Sequence, residues 1–277
     1  MTLKRLLPLL LMLLASAPTA LAQQDAKQQL HDQLWEAARV GDVAAARAAL
    51  DRGAEVDAKF RYGQTALFKA AERGHTEVVK LLLERGAAVN LRDTFYGATP
   101  ISWALQKGHV GVVRALLEKG AEEVGDVLMA GAREGNAELL TAALDTKRAQ
   151  PDTMTAALVA ATASGKHPEI VELLKKAGAK PPFEVDAATL QTYAGKYKNE
   201  AGTMEVVVTY KDGKLVAQAA GQQPLNMMAL DKTSFRAVEF DGINVTFNSE
   251  GDKVPSFTLK QGPNPTLFKR VEEPKQP

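Results

Sequence analysis

The tripeptides Arg52-Gly53-Ala54, Arg85-Gly86-Ala87 and Lys119-Gly120-Ala121 recur at intervals of 33 and 34 residues. A second series keeps step with them: Gly41-Asp42, Gly74-His75 and Gly108-His109 show the same two spacings. A fixed period of this length dictates a stack of supersecondary units, because one such unit cannot bury its apolar face alone. Between the glycines, Val79, Leu82 and Leu83, then Val113, Leu116 and Leu117, fall at i, i+3, i+4. That spacing predicts helices with one buried stripe each. Ala45, Ala46, Ala49 and Leu50 take the matching positions of the first unit, where small residues suit a terminal repeat with a single neighbour.

Two short helices are predicted per unit. Thr65-Ala66-Leu67 and Thr99-Pro100-Ile101 open the inner helices, with Thr as N-cap and Pro100 at the first helical position, where its missing N–H costs nothing. Gly74 and Gly108 end them. The Thr-x-Leu and Thr-Pro-Ile openings, the Gly-His pairs, Val-Val-x-x-Leu-Leu, and Gly-Ala followed by Val56-Asp57 or Val89-Asn90 together resemble ankyrin repeats, over residues 30–121. Beyond Ala121 the series continues at shorter intervals through Gly135-Asn136 and Gly165-Lys166, and Ile170, Val171, Leu173 and Leu174 look like a last outer helix. The expectation is a helical repeat domain over 23–180 with about five helix pairs, the last two degenerate and without an intervening finger.

Ankyrin arrays are protein-binding scaffolds, so the resemblance implies contacts from finger tips and inner helices. By position the fingers are Lys59 to Gln64 and Arg92 to Ala98. The candidate partner-binding residues are Arg61, Tyr62, Gln64, Glu72, Arg73, Thr94, Phe95, Tyr96, Trp103 and Gln106. Rigid aromatics and Arg are the residue types that dominate interface hot spots. A structural role would instead tuck Phe60 and Phe95 beneath the fingers as local core, with Tyr62 and Tyr96 left at the surface. Two departures from the family pattern make the transfer of contact positions approximate: Phe68 and Ser102 replace the usual His of the helix opening, and the second finger carries an extra residue near Thr94.

Lys180-Pro181-Pro182 breaks the helical pattern, and a second domain is expected over 181–277. Met204 to Tyr210 and Leu215 to Ala219 flank an Asp212-Gly213 turn of the kind that favours a tight hairpin. With Gly195 to Lys198, Leu225 to Ala229, Ser234 to Phe240, Ile243 to Phe247, Pro255 to Lys260 and Leu267 to Val271, the count reaches about eight strands. Up-and-down order then predicts a small antiparallel β-barrel or curved sheet. Leu190-x-x-Tyr193-x-Gly195-x-Tyr197, Asp212-Gly213-x-Leu215, Gly221-Gln222-x-Pro224-Leu225 and Phe257-x-Leu259-x-Gln261-Gly262 resemble the lipocalin-like accessory domain of exported serine β-lactamase-type hydrolases. No Ser-x-x-Lys pair accompanies it, so the resemblance implies the β module without the hydrolase. Phe235, Phe240, Phe247, Phe257, Met227 and Met228 are the side chains that either fill the domain as packed core or line a pocket for a small apolar ligand.

At the N-terminus, Lys4 and Arg5 precede an apolar run from Leu6 to Ala17, and Ala20-Leu21-Ala22 forms a small-x-small site. Residues 1–22 therefore read as a cleaved signal peptide, the apolar stretch being shorter than a bilayer span and interrupted by Pro8 and Pro18. No later segment is apolar enough to span, so no stable membrane insertion is expected after cleavage.

Composition narrows the chemistry. The 34 Lys and Arg face 33 Asp and Glu, interspersed and without the concentrated positive field that nucleic acid demands. Cys is absent, which removes disulfides, thiolate nucleophiles and zinc–thiolate sites. His31, His75, His109 and His167 have no metal-site spacing. The chain also lacks a nucleophile elbow, a zincin motif and a phosphate loop. Glu122-Glu123 and Glu272-Glu273 read as solvated charge. No catalytic residue, metal or cofactor is assigned. The functional expectation is an exported, periplasmic or secreted, non-catalytic adaptor that binds another exported protein. The alternative is a binder of a small molecule, a lipid or a cell-wall fragment through the β domain.

Overall fold

The computed structural model describes residues 7–240, 242–251 and 253–271, with side chains described from residue 22 onward. Residues 1–21 of the expected signal peptide thus lie outside the residues whose side chains are described, as do Glu272 and Glu273. The chain divides into two compact units, Met1–Glu123 and Val124–Pro277. After Lys176 one short helix, Ala187–Tyr193, still precedes the first strand at Gly195, and the helices between 124 and 176 group with the barrel.

In the first unit, three helix pairs follow one another: α1 (Leu7–Val40) with α2 (Val43–Asp51), α3 (Ala66–Arg73) with α4 (Thr76–Glu84), and α5 (Pro100–Gln106) with α6 (Val110–Glu118). Val79, Leu82, Leu83, Val113, Leu116 and Leu117 are all buried, as their spacing predicts, and Ala46 and Ala49 fill the matching places on α2. Ala45 is exposed and Leu50 half-buried, because the first outer helix packs on one side only. Truncating a fully enclosed side chain such as Leu82 to Ala would cost about 2–5 kcal/mol.

The 33-residue glycine period has a steric cause. Gly41 and Gly74 adopt φ of 84° and 78°, and a Cβ on either would lie 2.6 and 2.7 Å from the rings of His75 and His109. Each ring fills the space under the preceding turn and uses Nε2 to reach a carbonyl there, His75 that of Arg39 and His109 that of Glu72, both at 3.1 Å. Side chains at the next period register stitch the loops: the Asp57 carboxylate accepts from Ala88 N–H, and Asn90 bonds both Gly120 O and Glu122 N–H. Thr99 caps α5 with a reciprocal Ser102 bond. Thr65 holds the same place before α3, but its hydroxyl makes no cap bond.

In the second unit, α7 (Val124–Glu134) pairs with α8 (Ala137–Asp145) and α9 (Pro151–Ser164) with α10 (Pro168–Lys176). Among the described residues this completes five pairs, the last two joined without fingers. A short helix α11 (Ala187–Tyr193) leads into eight antiparallel strands: β1 (Gly195–Asn199), β2 (Glu205–Lys211), β3 (Lys214–Ala219), β4 (Leu225–Ala229), β5 (Ser234–Ala237), β6 (Ile243–Glu250), β7 (Lys253–Gln261) and β8 (Pro265–Arg270). Each strand pairs with the next, and β1 pairs with β8 through Tyr197 opposite Arg270, closing the barrel. At the β2–β3 hairpin Asp212 and Gly213 both have positive φ, the mirror-image turn that matches strand twist.

The barrel interior is filled by its own rings. Tyr193 stacks on Phe247 at 4.2 Å, Phe257 on Phe268 at 4.8 Å, and Tyr197 meets Phe257 at 4.8 Å. Phe240 is not among them. Although expected with the core, it is 56% exposed: β5 ends at Ala237, and Phe240 stands an odd five positions from the inward-facing Phe235, so even continued alternation would have turned it away from the core.

The outer face of β5 is also covered, and its charge is paired with a helix of the same unit. Arg236, only 1% exposed, donates through Nη1 to Asp152 at 2.9 Å and to the Thr153 hydroxyl at 3.0 Å. Arg133 on α7 donates to the carbonyls of Val238 and Glu239. These arginines join α7 and α9 to the barrel within the Val124–Pro277 unit. Among the described residues no helix is long and apolar enough to cross a membrane.

Candidate partner-binding site on the fingers

The two fingers fold by local hydrogen bonding. In the first, Phe60 N–H reaches Gln64 O at 2.8 Å and Gly63 N–H reaches Phe60 O at 3.0 Å, around a single 3-10 turn at Arg61–Gly63. Tyr62 sits there at φ 60°, a left-handed conformation that costs an L-residue about 1 kcal/mol or more. Its carbonyl accepts the amide of Thr94 at 2.8 Å, which ties the first finger to the second.

The second finger closes around a carboxylate. Asp93 is 3% exposed and accepts from the backbone amides of Phe95 and Tyr96 at 3.0 and 2.6 Å, and from Trp103 Nε1 at 3.2 Å. Burial opposes ionisation of this group, but hydrogen bonds from Tyr96, Trp103, Phe95 and Gly97 outweigh it and hold the carboxyl below its ordinary range. The backbone turn is thereby fixed to helix α5, and the rings that follow Asp93 are directed outward.

A ladder of aromatic contacts results. Tyr62 meets Phe95 at 5.0 Å, Phe95 meets Tyr96 at 4.5 Å, and Tyr96 meets Trp103 at 5.8 Å. The Arg61 guanidinium stands 4.6 Å from the centre of the Tyr62 ring. Exposure rises along the fingers from 41% for Tyr62 to 61% for Phe95 and 70% for Tyr96. From Tyr96 an open groove of about 450 Å³ continues along α5, lined by Tyr96, Ala98, Ser102, Trp103 and Gln106.

Of the residues singled out from sequence, Arg61, Tyr62, Phe95, Tyr96, Trp103 and Gln106 come together on the ladder and its groove. Thr94 and Gln64 contribute backbone bonds that shape the fingers. Glu72 is engaged elsewhere: its carboxylate pairs with Lys69 at 2.5 Å and its carbonyl receives His109. Arg73 is exposed in the last turn of α3. Phe60 does pack inward, on Trp35 at 4.4 Å, but Phe95 does not. The alternative structural role, with Phe95 beneath its finger, is not what the structure shows: the ring is 61% exposed, as Asp93 draws in the amides of residues 95 and 96 and turns both rings outward. The sequence reading missed Asp93 itself. Its signal is an Asp placed two and three residues ahead of Phe95 and Tyr96 and followed by Gly97, the spacing of a side chain that bonds its own turn.

A second concavity, of about 440 Å³, lies in the Val124–Pro277 unit, between Val159 and Ala163 of α9, Phe183 and Val185 of the preceding linker, and Met227 and Met228 of β4. Among the described residues no group of three or more His, Cys, Asp or Glu is placed to hold a metal ion.

This is a two-part architecture, an ankyrin-repeat helical region followed by an eight-stranded antiparallel β-barrel. Residues 34–126 match the family model for ankyrin repeats (3 copies). Residues 179–273 match a domain of unknown function, DUF3471. Similar curated proteins include the "Ankyrin repeat, SAM and basic leucine zipper domain-containing protein 1" of Homo sapiens and of Mus musculus, each 41% identical over 60 residues. The Neofelis nebulosa protein of the same description is 38% identical over 60 residues. The match covers 22% of this chain and 13% of each of those proteins. It therefore bears on the repeats alone, and ankyrin repeats suggest protein–protein interaction.

Proposed function

We propose that this chain is an exported, non-catalytic adaptor, active in the periplasm or outside the cell, that binds another exported protein through its fingers and the inner-helix groove. The observation that carries this reading is the ladder Tyr62–Phe95–Tyr96–Trp103, which leaves three large rings in contact with solvent on a preorganised turn. Rings held in advance lose little conformational freedom when a partner covers them, and exposed aromatic clusters of this kind mark interaction sites. The barrel, which follows the repeats in the chain, serves as a lipocalin-like module without hydrolase chemistry. Substituting Arg61, Tyr62 and Tyr96 together by Ala should weaken capture of the partner from an extract of the native compartment. Undiminished capture by that triple variant counts against finger-mediated binding.

A second reading has its own observation, the cavity of about 440 Å³ between α9, the linker and β4. Its volume falls in the range of small-molecule sites, and its walls are mostly apolar. In that reading a small apolar compound, a lipid or a cell-wall fragment occupies this cavity, whose walls include Leu215, Met227 and Phe235 of the barrel core. Native mass spectrometry of the full chain purified from its native compartment should then show a retained adduct, and its absence would remove the support.

A further inference from the structure

Across the chain 34 basic residues nearly balance 33 acidic ones, but the fingers break that balance. Residues 59–64 and 92–98 contain Lys59, Arg61 and Arg92, all exposed, and a single carboxylate, Asp93, which is buried and committed to Phe95, Tyr96 and Trp103. No charged side chain lines the groove that continues from Tyr96. We propose that the finger site takes an extended acidic polypeptide segment, seating one apolar side chain in the Tyr96–Trp103 groove and setting its carboxylates against Lys59, Arg61 and Arg92. The inference rests on the fingers being the binding site.

Three features select this occupant. Arg61, held over the Tyr62 ring, loses less freedom than an unsupported side chain when it meets a carboxylate. Because the Asp93 charge is turned inward, no exposed anion repels an acidic partner from the finger tips. The rings also discriminate against single-stranded nucleic acid. Their planes cross at 48°, 86° and 71°, which offers no set of parallel faces for successive bases. Three cations, moreover, neutralise few phosphates.

A random dodecapeptide library displayed on phage, panned on the full chain and on the Tyr62→Ala/Tyr96→Ala variant, tests the proposal. Peptides whose capture depends on the two rings should be enriched in Asp and Glu around an apolar residue. Affinity for the best of them should fall about threefold to tenfold in Lys59→Gln/Arg61→Gln, with the difference shrinking as salt rises. Both positions are exposed, so an unchanged thermal melt is expected for that variant. Arg92 is left in place because its Nη1 donates to Gly97 O and shapes the second finger. Ring-dependent peptides without acidic enrichment, or indifferent to the Lys59→Gln/Arg61→Gln change, would overturn the acidic-segment inference while leaving finger binding intact. Tighter ring-dependent binding of oligothymidylate than of any peptide would overturn it as well. Recovery of no ring-dependent peptide would overturn both.

Discussion

Asp93 accepts the indole N–H of Trp103 at 3.2 Å, so a finger residue and a helix residue ten positions apart form one rigid corner. The same carboxylate holds the amides of Phe95 and Tyr96, and the display of both rings depends on it.

Replacing Asp93 with Ala leaves two amides and an indole N–H without their acceptor. Losing hydrogen bonds to a charged, buried group should cost about 1.5–3 kcal/mol. The fluorescence of Trp103 should respond together with the melt. A variant with unchanged stability and unchanged tryptophan emission would show that the corner is held by other contacts.

Asp93 also predicts an acid response. Its folded-state pKa lies below the ordinary value of 3.8. Its contribution is therefore complete above that ordinary value and is lost as pH falls through the lower folded value. Melts recorded from neutrality down to about pH 2 should lose less stability in Asp93→Asn than in the parent, since the amide has no charge to lose. Parallel losses in the two proteins would exclude Asp93 as a source of acid sensitivity.

Arg236 and Asp152 make a different kind of contact, a buried cation paired across two elements of the second unit. Asp152→Ala removes one carboxylate from that cation and should cost about 2–3 kcal/mol, less than the usual loss for breaking a buried pair because Asp152 is 40% exposed. Arg236→Met, which removes the charge and keeps most of the volume, should cost less. Both tryptophans, Trp35 and Trp103, lie in the first unit, so denaturant unfolding is best followed by circular dichroism. Equal losses for the two variants would contradict the account.

Gly74→Ala tests the origin of the repeat period. The new Cβ would meet His109 at 2.7 Å in a backbone at φ 78°, and a loss of about 2 kcal/mol or more is expected. Gly53→Ala also sits at positive φ, but with nothing within 4 Å, and should cost about half as much. Comparable melting temperatures for the two variants would mean that the histidine packing contributes nothing.

Helix spacing, strand count and the Asp212-Gly213 hairpin were all legible because they rest on local chemistry. Glycine at a positive φ, Pro100 at a helix start and the 3.6-residue apolar stripe are each satisfied by neighbours in the chain. The fingers could be located in the same way, and with them most of the ladder residues. The orientation of Phe95 could not, since it follows from a buried carboxylate meeting an indole on the next helix. Phe240 was misplaced for a different reason: grouped with Phe235 by residue type, it stands an odd five positions away and so on the opposite face of any continuing strand.

By itself the sequence determined that repeated helix pairs precede an eight-stranded β region, because periodicity and turn chemistry act over a few residues at a time. Only the tertiary structure decided which rings face solvent, that the barrel is filled by aromatics, and that helices α7 and α9 belong with it. Those outcomes depend on partners such as Asp93 with Trp103 and Arg236 with Asp152. Such pairs form only when distant segments close a polar group away from water, where leaving it unpaired would cost more than the pairing constrains.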